Sequence, residues 1–128
     1  MISLLTYLVD YNALCLRILE ADSYVRFAGV ADQLGKMVAS QYRKNVQPLL
    51  TKEESELSAT QSILRMGTRL TLESKLGPTV YSFALYERVK RATIPVRDPG
   101  NHCLLVSFDV VADHEEIILE KILPLLKS

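Results

Sequence analysis

Between residues 51 and 76 the apolar side chains fall on two faces of one helix. At the ~100° per residue of an α-helix, Ala59, Ile63, Met66 and Leu70 form one stripe. Leu57, Leu64, Leu72 and Leu76 form another almost opposite, with Arg65, Arg69 and Glu73 between them. A helix with a single stripe covers a single core, whereas two stripes call for cover on two sides. In a chain of 128 residues the second cover is expected from a helix of another subunit.

The remaining pattern divides into short elements. Residues 2–21 place Leu4, Leu8, Tyr11, Cys15, Ile18 and Leu19 at helical spacing and stop near Asp22 and Ser23. Residues 24–32 and 36–43 read as two strands of a β-hairpin, with Gly35 where the turn needs positive φ. Thr51 and Glu54 form a capping box at the start of the long helix, and Gly77 followed by Pro78 stops it. Residues 79–86 and 89–97 alternate as a second hairpin turning at Glu87 and Arg88. The turn formers Asp98, Pro99, Gly100 and Asn101 then lead into residues 103–111, a nearly continuous apolar run expected of a central strand covered on both faces. Asp113 caps a last helix carrying Ile117, Ile118, Ile122 and Leu123, and Pro124 is expected to kink or end it. Pro95, inside the fourth strand, lacks the amide a ladder needs, so either a bulge or incomplete pairing is expected there.

The order is helix, strand, strand, long helix, three strands, helix. This is an α+β chain with a five-stranded antiparallel sheet and helices on its faces, expected to form one domain over residues 1–128. The 48% apolar and 23% charged composition belongs to an ordinary globular protein. Fifteen basic and fifteen acidic residues cancel, which removes any long-range pull toward nucleic acid or an anionic membrane. The local run of Arg88, Lys90, Arg91 and Arg97 reads as a solvated strand edge. Cys15 and Cys103 sit in apolar runs, form no metal or disulfide framework, and are expected to be buried. The opening residues lack a basic leader pattern, and no apolar stretch reaches the ~18 residues of a membrane span, so a cytoplasmic protein is the expectation.

With those elements placed, the chain resembles a roadblock/longin-type domain of the broader profilin-like group. The first hairpin carries the likeness: Val25, Arg26, Phe27, Ala28, Gly29, Val30, Ala31 and Asp32, then Gly35, then Met37, Val38, Ala39 and Ser40. Together with Pro48, Leu49, Leu50 and Thr51, the run from Arg26 to Gly29 is also similar to an uncharacterised family of short archaeal roadblock-like proteins, a resemblance that supplies a fold and no activity. The roadblock likeness implies pairing of two copies through the long middle helix and the strand after it, which agrees with the two-stripe pattern.

Candidate chemistry is sparse. His102 follows a turn and His114 sits in a cap, neither at a metal-ligand spacing, and both are expected to be structural or surface residues. Asp109, within the apolar run, is expected either at a solvated strand end or paired with an arginine such as Arg26. Gly29 and Gly35 lack the glycine-lysine-serine ending of a phosphate loop, and no nucleophile has a base at a motif spacing. The expectation is a non-enzyme without cofactor or metal.

Two functional readings follow. The first is a homodimeric scaffold or regulator that binds another protein, by resemblance a small GTPase or a cytoskeletal or trafficking complex. Its dimer interface is expected at Ala59, Ile63, Met66, Leu70, Tyr81 and Phe83, with the opposite stripe of Leu57 and Leu64 as the alternative face of the helix. The second is a small-molecule sensor domain of profilin/PAS-like architecture, with a pocket between sheet and long helix lined by Tyr81, Phe83 and Tyr86. Neither reading calls for nucleic acid or membrane insertion.

Overall fold

A computed structural model of the chain describes residues 10–127. The expected first helix is seen as α1, Tyr11–Ala21, while Leu4 and Leu8 lie outside the described residues. Asp10 caps α1, its carboxylate accepting the Ala13 amide at 3.0 Å. At the other end, where the last carbonyls of a helix lack partners, Arg43 donates to the Leu19 and Asp22 carbonyls and, at 2.7 Å, to that of Val25. One guanidinium from beyond the first hairpin thus closes the end of α1.

The five strands β1 (Val25–Ala31), β2 (Met37–Tyr42), β3 (Ser82–Leu85), β4 (Val89–Pro95) and β5 (Cys103–Asp109) form one antiparallel sheet in the order β2-β1-β5-β4-β3. The apolar run indeed supplies the central strand. Leu104, Val106 and Phe108 point into one layer, and Leu105 points into the other. A register shift between Val25 and Phe27 lets Val25 and Ala28 face the same layer despite their odd spacing. Asp109 ends β5 at a half-buried position, where its carboxylate accepts the Val111 amide, and Arg26 instead donates to the Gln47 carbonyl.

Pro95 costs no ladder bond. The Val96 amide bonds the His102 carbonyl at 2.9 Å, so in the alternating antiparallel pattern the nitrogen of Pro95 points toward β3. There β3 has already ended, because its first residue, Ser82, pairs with Thr93. The pairing is incomplete on that side, and the strand order is intact.

Helix α1 and the C-terminal helix cover one face of the sheet. Cys15 and Ile18 of α1 and Ile118 and Ile122 of the C-terminal helix are fully buried against Val25, Val30, Ile94, Leu104 and Phe108. The C-terminal helix, α4, is α-helical over His114–Glu116, π-helical over Ile117–Ile122 and α-helical again over Leu123–Leu126. Its π segment bonds the Leu123 amide to the Ile118 carbonyl, five residues back. Pro124 then stands in the first turn of a new α segment, where its missing amide is not needed, so the helix continues past it.

The other face carries α2, Lys52–Leu70, opened by the expected capping box: the Thr51 hydroxyl accepts the Glu54 amide at 3.1 Å, and Glu54 accepts the Thr51 amide at 2.8 Å. The helix does not run unbroken to residue 76. Thr68 and Thr71 donate their hydroxyls to carbonyls three residues back, and the Leu72 amide turns to the Arg69 carbonyl. A separate turn, α3 (Glu73–Leu76), follows before Gly77 at φ 87°. Glu73, the first residue of that turn, is held by Arg97, which donates to both its carboxylate oxygens at 3.2 and 2.8 Å.

Two predictions follow from these anchors. Gly35 has φ 88°, and a Cβ there would lie 2.7 Å from the Thr60 Cα of α2, so Gly35→Ala should destabilise the fold by about 1–3 kcal/mol in urea unfolding. Hydrogen bonds from Arg97 first, then from Thr79, hold the Glu73 carboxyl down at about 2. A depressed carboxylate stabilises the folded chain above the ordinary carboxylate range, and that contribution is lost as pH falls through about 2. Carboxyl-carbon NMR should show this low midpoint, and Arg97→Ala should return it to the ordinary range.

Candidate functional site

The two stripes of α2 have different fates. Ala59 (0% exposed) and Met66 (3%) are buried within the chain, and Ala59 packs with Ala31 and Leu105, flanked by Ile63, Phe27 and Met37. The opposite stripe is open: Leu57 is 58% and Leu64 is 67% exposed, and Leu72 and Leu76 beyond the helix are exposed as well. Of the residues expected at a dimer interface, Ala59 and Met66 therefore have no surface left for a partner, and Ile63 is half-buried. Leu70 remains exposed at the end of α2. The face available to another molecule is the one carrying Leu57 and Leu64. Ala59 decides the orientation, because a small residue lets the helix backbone approach the sheet closely over Ala31 and Leu105.

Tyr81 and Phe83 also serve the chain itself. Tyr81 packs on the core under α1 and α4, and the Phe83 ring stacks on the His114 imidazole with centroids 3.7 Å apart and planes 9° from parallel. Burial, then the nearby Lys90 ammonium, holds His114 below its ordinary pKa. Among the described strands β3 pairs only with β4, so its other edge presents unpaired backbone groups.

Between α2 and the sheet lies an open groove of about 880 Å³. It exists because both walls carry small side chains. The sheet register aligns Ser107 of β5, Arg91 of β4 and Ala84 of β3 in one row, and Leu105, Thr93 and Ser82 in the next. Facing them, α2 offers the buried hydroxyls of Ser58 and Ser62. Arg91 spans the gap and donates to the Ser58 hydroxyl at 2.5 Å, and Arg65 donates to Ser62 at 3.4 Å. Phe83 and Tyr86 border this groove; Tyr81, the third aromatic expected there, does not.

A second polar cluster joins α1 to the β4–β5 loop. Asp98 accepts the Tyr11 hydroxyl and the His102 amide, the latter at 2.8 Å, and lies 2.7 Å from His102 Nδ1. Burial pulls the Asp98 carboxyl up, but the hydrogen bonds from Tyr11 and from the His102 amide outweigh it and hold the carboxyl below the ordinary value. Burial first, and then Asp98, pushes the Tyr11 phenol well above its ordinary value. The cluster fastens the loop; the four-residue spacing from Asp98 to His102 was its only trace in the chain. Cys15 and Cys103 are both buried and free, and burial pushes each thiol up to about 11, which leaves them protonated and unreactive at neutral pH. Among the described residues no group of three or more histidine, cysteine or acidic side chains is placed to hold a metal ion, and no helix is long and apolar enough to cross a membrane.

No protein-family model matches the sequence, and no curated protein matches it. Solved structures do match. A roadblock/LC7 domain from Streptomyces avermitilis superposes with a TM-score of 0.71 at 11% identity, over 93% of this chain and 93% of that one. MglB of Myxococcus xanthus gives 0.70 at 14% identity, over 93% and 90%. MglB in a tetrameric arrangement gives 0.64 at 16% identity, over 90% and 86%. At these identities the likeness is one of fold, and it spans nearly the whole of each chain. The element order, the strand order and the placement of α2 opposite α1 and α4 are those of a roadblock/LC7 domain, and that is the fold of this protein.

Proposed function

We propose that this chain is a homodimeric protein-interaction scaffold or regulator of the cytoplasm, without catalytic activity of its own. The observation that carries the reading is the exposed Leu57 and Leu64 stripe of α2, together with the unpaired outer edge of β3. A two-fold axis crossing α2 would bring both into one interface, since an isologous contact repeats each residue twice. An antiparallel pairing of the two α2 helices centred between Thr60 and Gln61 sets Leu57 against Leu64 of the second copy. The same register sets Glu56 against Arg65, so apolar and charged positions are satisfied together. The fold likeness to MglB, solved in a tetrameric arrangement, supports self-association. A small GTPase or a cytoskeletal or trafficking complex is the partner class implied by the roadblock resemblance, and the joined sheets would be its platform.

Size-exclusion chromatography with light scattering tests the reading. The wild-type chain should be a dimer, and Leu64→Asp should weaken it by about 2 kcal/mol or more while circular dichroism and melting temperature stay close to wild type. Met66→Asp should instead destabilise the protomer, because that side chain is 3% exposed. A wild-type monomer, or an undiminished Leu64→Asp dimer, would overturn the proposed interface.

A further inference from the structure

We infer that the groove between α2 and the sheet is a binding site for a small molecule bearing carboxylate or phosphate groups. The inference goes beyond the scaffold reading and does not require it. The groove is bordered by Arg26, Arg69, Arg88 and Arg91, and by Arg65, which the proposed dimer sets against Glu56 of the second copy. Among the described residues no carboxylate forms an ion pair with any of the five; the arginine that has such a partner is Arg97, which binds Glu73 away from the groove. Two acids line the same space. Glu54 is engaged by the Thr51 amide in the capping box, and Glu87 sits in the β3–β4 turn.

A chain with no net charge thus concentrates positive charge in this groove. Low-dielectric walls around such a concavity focus the field on whatever enters it. Arg91 is pre-organised for this: it stands half-buried on a central part of the sheet, and its guanidinium is pinned by the buried Ser58 hydroxyl. That bond occupies one of five donors and leaves the others for a ligand. Around it the hydroxyls of Ser62, Ser82, Thr93 and Ser107 add further donors. A donor-rich, acid-poor site suits oxyanions, which guanidinium groups bind in bidentate fashion. The volume of about 880 Å³ lies within the ~300–1,000 Å³ usual for small-molecule sites.

The test uses citrate and inorganic pyrophosphate as probes, by calorimetry and by NMR of the arginine Nε–H resonances, at an ionic strength held constant with sodium chloride. The wild-type chain should bind at least one probe saturably at one site, with a dissociation constant below about 1 mM and the largest shift at Arg91. Preference for citrate identifies a carboxylate ligand, and preference for pyrophosphate a phosphorylated one. Arg91→Gln should weaken binding about tenfold or more. Ser58→Ala, which frees Arg91 without removing it, should weaken binding severalfold, and Arg17→Gln on α1 should leave it unchanged. Leu57 and Arg65 border both the groove and the proposed dimer contact, so binding that persists in monomeric Leu64→Asp distinguishes a ligand site from a seat for the second copy. The inference is overturned if the wild type binds neither probe, or if Arg91→Gln binds as tightly as wild type. It is equally overturned if both probes fail while salt alone dissociates the dimer, which would assign the arginines to the acidic first turns of the second copy's α2.

Discussion

A five-stranded sheet has two faces to cover, and this chain spends most of its apolar side chains on one of them. Under α1 and α4 the large residues Ile18, Ile94, Leu104, Phe108, Ile118 and Ile122 are all fully buried. On the other face the buried cluster reduces to Ala31, Ala59 and Leu105, with Phe27, Met37 and Ile63 closing over it. α2 therefore rests on the β1 and β5 side of the sheet and stands away from β3 and β4. The groove, the exposed leucines and the open strand edge all follow from that imbalance. Most of the large buried side chains of the protomer lie in the first layer, and the second layer is only partly filled.

Magnitudes show how far the exposed leucines carry an association. Burying a leucine is worth roughly 1.5–3 kcal/mol. Two leucines from each copy give a gross gain of about 6–12 kcal/mol, against an association cost estimated at roughly 4–15 kcal/mol. The stripe alone sits near balance. Strand pairing at β3 and the complementary charges of Glu56 and Arg65 are what would turn it into a stable contact, which is why the proposed interface needs the helix and the strand edge together.

Local chemistry made much of the fold legible. The Thr51 and Glu54 capping box, the positive φ of Gly35, the stop at Gly77 and the three hairpin turns each depend on residues within a few positions of one another. Long-range choices were not written so plainly. Both stripes of α2 are comparably apolar, so periodicity shows that two faces exist and not which one meets the sheet; that was decided by the fit of Ala59 over Ala31 and Leu105. The Arg97 and Glu73 pair just past the break after Leu70 joins residues twenty-four positions apart, and the closing of α1 depends on Arg43, twenty-four residues past Leu19. A pocket between sheet and long helix was expected with an aromatic lining, of which Phe83 and Tyr86 are present; its polar lining was hidden, because it comes from residues meeting across two elements: Ser58 and Ser62 on the helix, Ser82, Thr93 and Ser107 on the sheet. Each of these looks like an ordinary solvated position when read along its own strand or helix.

The groove and the interface also share a frame. The paired hydrogen bonds between Arg97 and Glu73 tie the end of the long helical region to the end of β4, and Glu73 also accepts the Thr79 amide at 2.8 Å, fixing the chain that leads into β3. Behind the sheet, the Phe83 and His114 stack holds β3 against the start of α4. Lys90 reinforces that join by donating to the Ala112 carbonyl at 2.7 Å. The edge strand is thus restrained from one end and from behind, while its outer edge and the open stripe of α2 remain uncovered. A surface held in this way loses little conformational freedom when it is occupied, which favours binding by a partner that matches its shape.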